Sequence, residues 1–273
     1  YAVRKLPLCY KDQNIILLIT AIEMMTAVQN TQFNPSIAAI LIFTFLLVKK
    51  QNDFWATFFI AAGFLVKLYG IAGLAFFFFS DHKIKFILSF IFWIAVLFCL
   101  PMIISSPQFI IQCYYDWFNS LVQKNETNSM SLMQNMSVMG MLRHIFNVKE
   151  FSMLVLIPAT VLYILPFLRR SQFEYLNFKL SYLAFTLIGV VIFSSSAESS
   201  TYIIAMAGVG IWFVLQNKSD PLNVLLLILA LVLTSLSTTD LLPEYFKLHI
   251  VRPYSLKALP CFLVWIVLAY QLL

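Results

Sequence analysis

The chain has 273 residues, of which 61% are hydrophobic and only 11% charged. An average soluble domain carries about 25% charged residues, so an ordinary soluble fold is excluded. The net charge of +6 comes from short basic clusters between apolar runs, the distribution of membrane-topology determinants, and this argues against a nucleic-acid partner.

Four cysteines, Cys9, Cys99, Cys113 and Cys261, have no CxxC spacing. They are read as small buried hydrophobes and announce neither a metal site nor a disulfide framework. The chain opens with Tyr1 and reaches its first apolar run without a signal-peptide pattern, so an upstream segment is expected.

Residues 14–28 form the first apolar run, interrupted by Glu23 and preceded by Arg4, Lys5 and Lys11. Basic residues mark the cytoplasmic side, so this span is expected to run outward. It ends at Asn30-Thr31-Gln32-Phe33-Asn34-Pro35, where Pro35 suits the first turn of a second helix, residues 35–48. That helix returns to Lys49 and Lys50.

The stretch 54–79 carries Lys67 at its centre, with Gly63, Gly70 and Gly73 beside it. As one straight helix it would reach roughly 39 Å, well beyond a hydrocarbon core of about 30 Å, with an ammonium stranded at the midplane. Lys49 and Lys50 precede it and Lys83 and Lys85 follow it, so both ends belong on the cytoplasmic side. A re-entrant hairpin of two short helices, 54–66 and 68–79, with Lys67 at the tip, satisfies both constraints. Half-length helices at membrane depth in turn imply a polar cavity.

Residues 84–104 then run outward, and a long outer loop spans 105–152. Its first part, 108–122, places Phe109, Tyr114, Trp117, Phe118 and Leu121 largely on one helical face, the pattern of an interfacial helix. Residues 153–168 return to Arg169-Arg170, and Lys179 precedes the span 180–193. That span emerges at the serine-rich turn 194–201, which holds Glu198. Residues 202–216 return to Lys218, 221–237 leave again, 240–257 form a second outer loop, and 258–273 make the last span. The fold class is therefore all-α: a single integral-membrane domain, 1–273, built as a polytopic helical bundle of about eight spans plus one re-entrant hairpin.

On this topology Gln32, Asn34, Asn135, Ser137, Arg143, Glu198, Asp240 and Arg252 gather on the outer side, with Lys67 approaching from below. Each has a plain structural alternative. Gln32 and Asn34 can cap and bridge two helices, and Arg143 can snorkel. Glu198 can serve as the acidic residue of a helix start, and Asp240 and Arg252 can be loop residues. Glu23 and Lys67 are harder to set aside, because ionisable groups within a membrane are costly and usually functional. Asn125-Glu126-Thr127 and Asn135-Met136-Ser137 match the N-glycosylation pattern, which is too short to inform.

The order NTQFN, then a helix, then AAGFLVKLYG, then QNMSVMGMLR in a long outer loop resembles glycosyltransferase family 87, the polytopic alpha-mannosyltransferase-like group with the GT-C fold. The matching positions are Asn30, Gln32 and Asn34; Gly63 and Lys67; and Asn135, Ser137 and Arg143. Met136 departs from the usual glutamine of the last motif. The turn SSSAESST stands where many members carry histidines and a tryptophan.

The resemblance implies transfer of a hexose, mannose-like, from a polyprenyl-phosphate-linked sugar donor to a lipid or glycan acceptor. The expected location is the outer face of a bacterial cytoplasmic membrane, with membrane lipids as the surroundings and no cofactor or metal. It places Lys67 and Arg143 at the donor phosphate and Gln32, Asn34, Asn135, Ser137 and Glu198 at the sugar or acceptor. A lipid-phosphate leaving group needs cations, and a sugar needs amide and hydroxyl partners. The catalytic base of GT-C enzymes lies in the first outer loop, upstream of residue 1, so no residue here is assigned to it. A flippase for a lipid-linked sugar, or a non-catalytic subunit of a cell-envelope glycan assembly system, are the alternatives; an inverted repeat would favour the flippase, and none is visible.

Overall fold

A computed structural model describes residues 1–129, 135–146, 152–218 and 220–273. Among the described residues the chain is all-helical, with no strand. It divides into two compact units, Tyr1–Ala39 with Ser131–Leu273, and Ile40–Met130. The boundary falls within a helix.

The first unit contains α1 (Tyr10–Gln29) and the first residues of α2 (Asn34–Lys49). The α1 helix ends in a Schellman motif, in which Gln32 N–H reaches Ala27 O at 2.9 Å and Thr31 N–H reaches Val28 O at 2.9 Å. Thr31 occupies the left-handed position, at φ 50°, that glycine usually takes. The turn delivers Asn34, fully buried, to the start of α2.

After the second unit the chain resumes with α6 (Val138–Phe146), α7 (Ser152–Ile164), α8 (Leu176–Ile192) and α9 (Tyr202–Leu215). Then come α10 (Pro221–Leu229), the short α11 (Glu244–Phe246) and α12 (Ala258–Leu272). The core is α9, buried without a break from Tyr202 to Trp212, as a helix apolar on all sides must be. It packs on α8 and α1, and α12 closes over α8, where the Phe185 and Trp265 rings stack at 4.4 Å. Beyond Leu229, α10 widens into a π-helical turn, Ala230–Ser235, and tightens into a 3₁₀ turn, Leu236–Thr238.

The second unit confirms the hairpin geometry. α3 (Asp53–Val66) descends, Lys67 breaks it in an extended conformation, and Leu68–Phe79 returns as a 3₁₀ helix. At the base, Ser80 Oγ donates to Asp53 Oδ2 at 2.9 Å and Asp81 N–H to Gln51 Oε1 at 2.8 Å, so the two ends meet. Near the tip, a Cβ on Gly70 would lie 2.2 Å from the carbonyl carbon of Gly63, and only glycine permits that approach. Lys83 Nζ closes the return leg by donating to the carbonyls of Phe77, Phe78 and Ser80.

A 3₁₀ run of 12 residues is unusual. At about 2.0 Å per residue it spans roughly 24 Å, against roughly 21 Å for the 14-residue α3.

α4 (Lys83–Cys99) follows, and Trp93 packs among Phe54, Trp55 and Phe58 while its Nε1–H donates to Phe54 O at 2.8 Å. α5 (Pro107–Ser129) extends the expected interfacial helix by one residue at its start and seven at its end, and leaves Phe109, Tyr115 and Phe118 exposed.

Among the described residues two continuous helical runs are long and apolar enough to cross a membrane, Lys83–Ile103 and Pro221–Thr238; the other apolar helices are shorter, at 10–17 residues. These two coincide with the expected spans 84–104 and 221–237. Much of what the sequence suggests as outer loop, 105–152 and 240–257, is itself helical in its described parts. Only Cys261 is buried among the cysteines. Cys9, Cys99 and Cys113 are exposed, which corrects the expectation, because apolar helices in this chain carry apolar side chains on their outward faces too.

Candidate functional site

The loop 135–137 is built around α6. Ser137 caps that helix: its Oγ accepts from Gly140 N–H at 3.1 Å and donates to Asn135 Oδ1 at 2.6 Å. A Cβ on Gly140 would lie 1.9 Å from Asn135 O, so the spacing Asn135-x-Ser137-x-x-Gly140 is a folding requirement of this turn. Arg143 follows in the last turn of α6, next to His144. Burial first, and the Arg143 charge second, hold the His144 imidazole below its ordinary value.

This loop docks on the serine-rich turn. Met136 N–H donates to Ala197 O at 2.8 Å, and Ser199 Oγ lies 3.2 Å from Met136 Sδ. The Tyr202 hydroxyl, at the start of α9, donates to Met136 O. From the other side, Asn34 Nδ2 donates to Ser200 O at 2.9 Å. Glu198 opens the Ser199–Thr201 turn in a capping-box arrangement, with Thr201 Oγ1 accepting its N–H at 3.3 Å. Three segments distant in sequence thus converge through named hydrogen bonds.

Beside them lies a cavity of about 220 Å³ lined by Thr26, Gln29, Asn30, Met136, Ser199, Ser237, Thr238, Val251, Arg252, Ser255 and Lys257. The hydroxyls of Thr26 and Thr238 meet across it at 3.3 Å. The π-helical turn fixes part of the wall: Thr234, within it, donates from Oγ1 to Lys257 O at 2.9 Å, and Ser237 and Thr238 follow directly.

Lys257, itself buried, donates from Nζ to Glu23 Oε1 at 2.9 Å, and its ammonium stands 5.1 Å from the centroid of the Tyr202 ring. A buried ion pair of this kind is held together by mutual need: neither charge tolerates the interior without the other. Glu23 Oε2 has no hydrogen-bond partner among the described residues.

Of the site residues expected from sequence, Asn34, Asn135, Ser137 and Glu198 fall in this connected region. Asn135 Nδ2 is buried and has no hydrogen-bond partner among the described residues, which makes it a ready donor. Gln32 is half-buried in the Schellman turn. Arg143 belongs to the first unit. Lys67 belongs to the second unit, half-buried, with its ammonium 5.5 Å from the centroid of the Tyr69 ring. Lys257, the last residue of the expected loop 240–257 and the N-cap of α12, is buried against Glu23. Sequence reasoning overlooked Lys257, together with Thr26, Ser199, Ser237, Thr238 and Ser255, whereas Asn30 was already a motif position. The usable signal was Glu23: an acidic residue in an apolar span demands a cationic partner. Among the described residues no group of three His, Cys, Asp or Glu side chains is placed to hold a metal ion.

An all-helical protein with a small pocket of hydroxyls, amides and cations is equipped to bind a polar, hydroxylated head group. The chain belongs to glycosyltransferase family 87, whose family model matches residues 7–239. It is accordingly a glycosyltransferase, of a family whose members are membrane proteins. No curated protein and no solved structure matches the sequence.

Proposed function

We propose that this enzyme transfers a hexose, mannose-like, from a polyprenyl-phosphate-linked donor to a lipid or glycan acceptor at the outer face of a bacterial cytoplasmic membrane. It does so as a polytopic protein of about eight spans plus the re-entrant hairpin. The observation that carries the reading is the union of the family-like turns at 30–34 and 135–143 with the serine-rich turn, beside one hydroxyl-lined cavity.

In this reading Asn135 donates to a sugar hydroxyl through its buried Nδ2. Ser137 and Asn34 act as positioning residues, since the Ser137 hydroxyl holds Asn135 and Gly140 while Asn34 holds the Ser200 turn. Gln32 and Glu198 border the sugar or acceptor. Lys67 and Arg143 meet the donor phosphate, where preorganised cations stabilise the negative charge that develops on the departing lipid phosphate.

The test is transfer by the full-length protein in proteoliposomes, with radiolabelled polyprenyl-phosphate mannose as donor and a bacterial total-lipid extract as acceptor. Labelled product should form, and Arg143→Gln should cut turnover by about 10²-fold or more. Use of nucleotide sugars with polyprenyl donors left untouched would overturn the reading.

A further inference from the structure

The cavity leaves one cation without a counter-charge. Lys257 is neutralised on the spot by Glu23, so the pair presents a dipole and little net charge to a ligand. Arg252, on the same cavity wall, is exposed and makes no ion pair among the described residues. Its position is fixed from both sides. The segment Lys247–Val251 is wound as a π-helical turn, Arg252 N–H donates to Lys247 O at 3.0 Å, and Leu256 N–H to Val251 O at 3.0 Å. Val251, Ser255 and Lys257 are buried, so Arg252 projects from a segment anchored before and after it. Ser255 is held at φ 51°, a costly conformation for a residue with a side chain, and its buried hydroxyl has no hydrogen-bond partner among the described residues.

The segment 240–254 that carries Arg252 exposes Leu241, Tyr245, Leu248, Ile250 and Tyr254 over 37% to 77% of their surface, alongside the polar Asp240, Glu244 and His249, with Asp240 paired to Lys247. A guanidinium at the edge of a hydroxyl-lined cavity, flanked by exposed apolar side chains, matches an anion carried on a hydrocarbon chain. The handed-over sugar fits the hydroxyls inside, the phosphate the guanidinium at the edge, and the prenyl chain the apolar flank.

We infer that Arg252 is a phosphate-binding residue of this cavity and that its ligand is a polyprenyl-borne phosphate. The inference rests on the donor class proposed above and adds a cation that the family-like motifs do not contain.

The experiment measures binding of a polyprenyl monophosphate without sugar, and of inorganic phosphate, to the full-length protein in nanodiscs, alongside hexose transfer. Arg252→Gln should weaken polyprenyl-phosphate binding about tenfold or more, and Arg252→Lys should restore most of it. Ser255→Gly, which removes the hydroxyl and suits the backbone, reports whether that wall contributes while leaving the fold intact; a loss of a few-fold is expected. Inorganic phosphate should compete only at far higher concentration.

Unchanged polyprenyl-phosphate binding in Arg252→Gln overturns the assignment. Equal competition by inorganic phosphate overturns the lipid source. Binding that depends on Arg252 in a protein that transfers no hexose would leave this subsite standing and remove the transferase donor. Transfer by Arg252→Gln at wild-type donor KM would do the reverse.

Discussion

Glu23 and Lys257 are 234 positions apart and share one hydrogen bond in the interior. Replacing either alone strands a buried charge, so Glu23→Gln or Lys257→Met should each cost about 3–5 kcal/mol, while the double replacement should cost much less. Thermal unfolding of the three variants in detergent measures this, and additive losses would show that the two charges act separately. His144 supplies a pH signature. Its folded value lies below the ordinary imidazole value because burial and Arg143 disfavour its charged form. Between about 6.5, the ordinary value, and that lower folded value, the unfolded chain binds more protons than the folded one. Stability therefore falls as pH drops through this window and levels off beneath it. Melting temperatures from pH 8 downward should show this loss in the wild type and not in His144→Asn.

At the scale of elements, the hairpin was legible because two constraints that need no structure, excess length and lysines on both flanks, admitted one solution. The winding of its return leg was not legible, since nothing in LYGIAGLAFFFF favours a 3₁₀ helix. Lys50 and His82 flank the hairpin and are exposed, so single cysteines at these positions probe its sidedness. Impermeant thiol reagents should reach both from the same face, and labelling from opposite faces would break the hairpin assignment. Gly70→Ala places a methyl 2.2 Å from backbone and should separate the legs, seen as lost expression or a protease-sensitive loop. Gly140→Ala, with its methyl 1.9 Å from Asn135 O, should undo the 135–137 turn and lower transfer without touching a charged group.

For the molecule as a whole, the helical class and the family were readable because they rest on composition and on three short motifs in order. The cavity was not. Five of its eleven lining residues are serines and threonines, residue types too common to stand out, and they come from segments brought together only by the packing of α1, α9 and α12. The hairpin then carries a consequence for the lipid around it. On the membrane reading proposed above, legs of roughly 21 and 24 Å end about 6–9 Å short of the far side of a hydrocarbon core near 30 Å. A lysine stem can bridge a gap of that size only by reaching fully upward. The thickness of the bilayer thereby becomes a variable of the reaction. Proteoliposomes made from progressively longer acyl chains should lose turnover as Lys67 sinks out of reach of the headgroups, and Lys67→Gln, already without its charge, should respond far less to the same series.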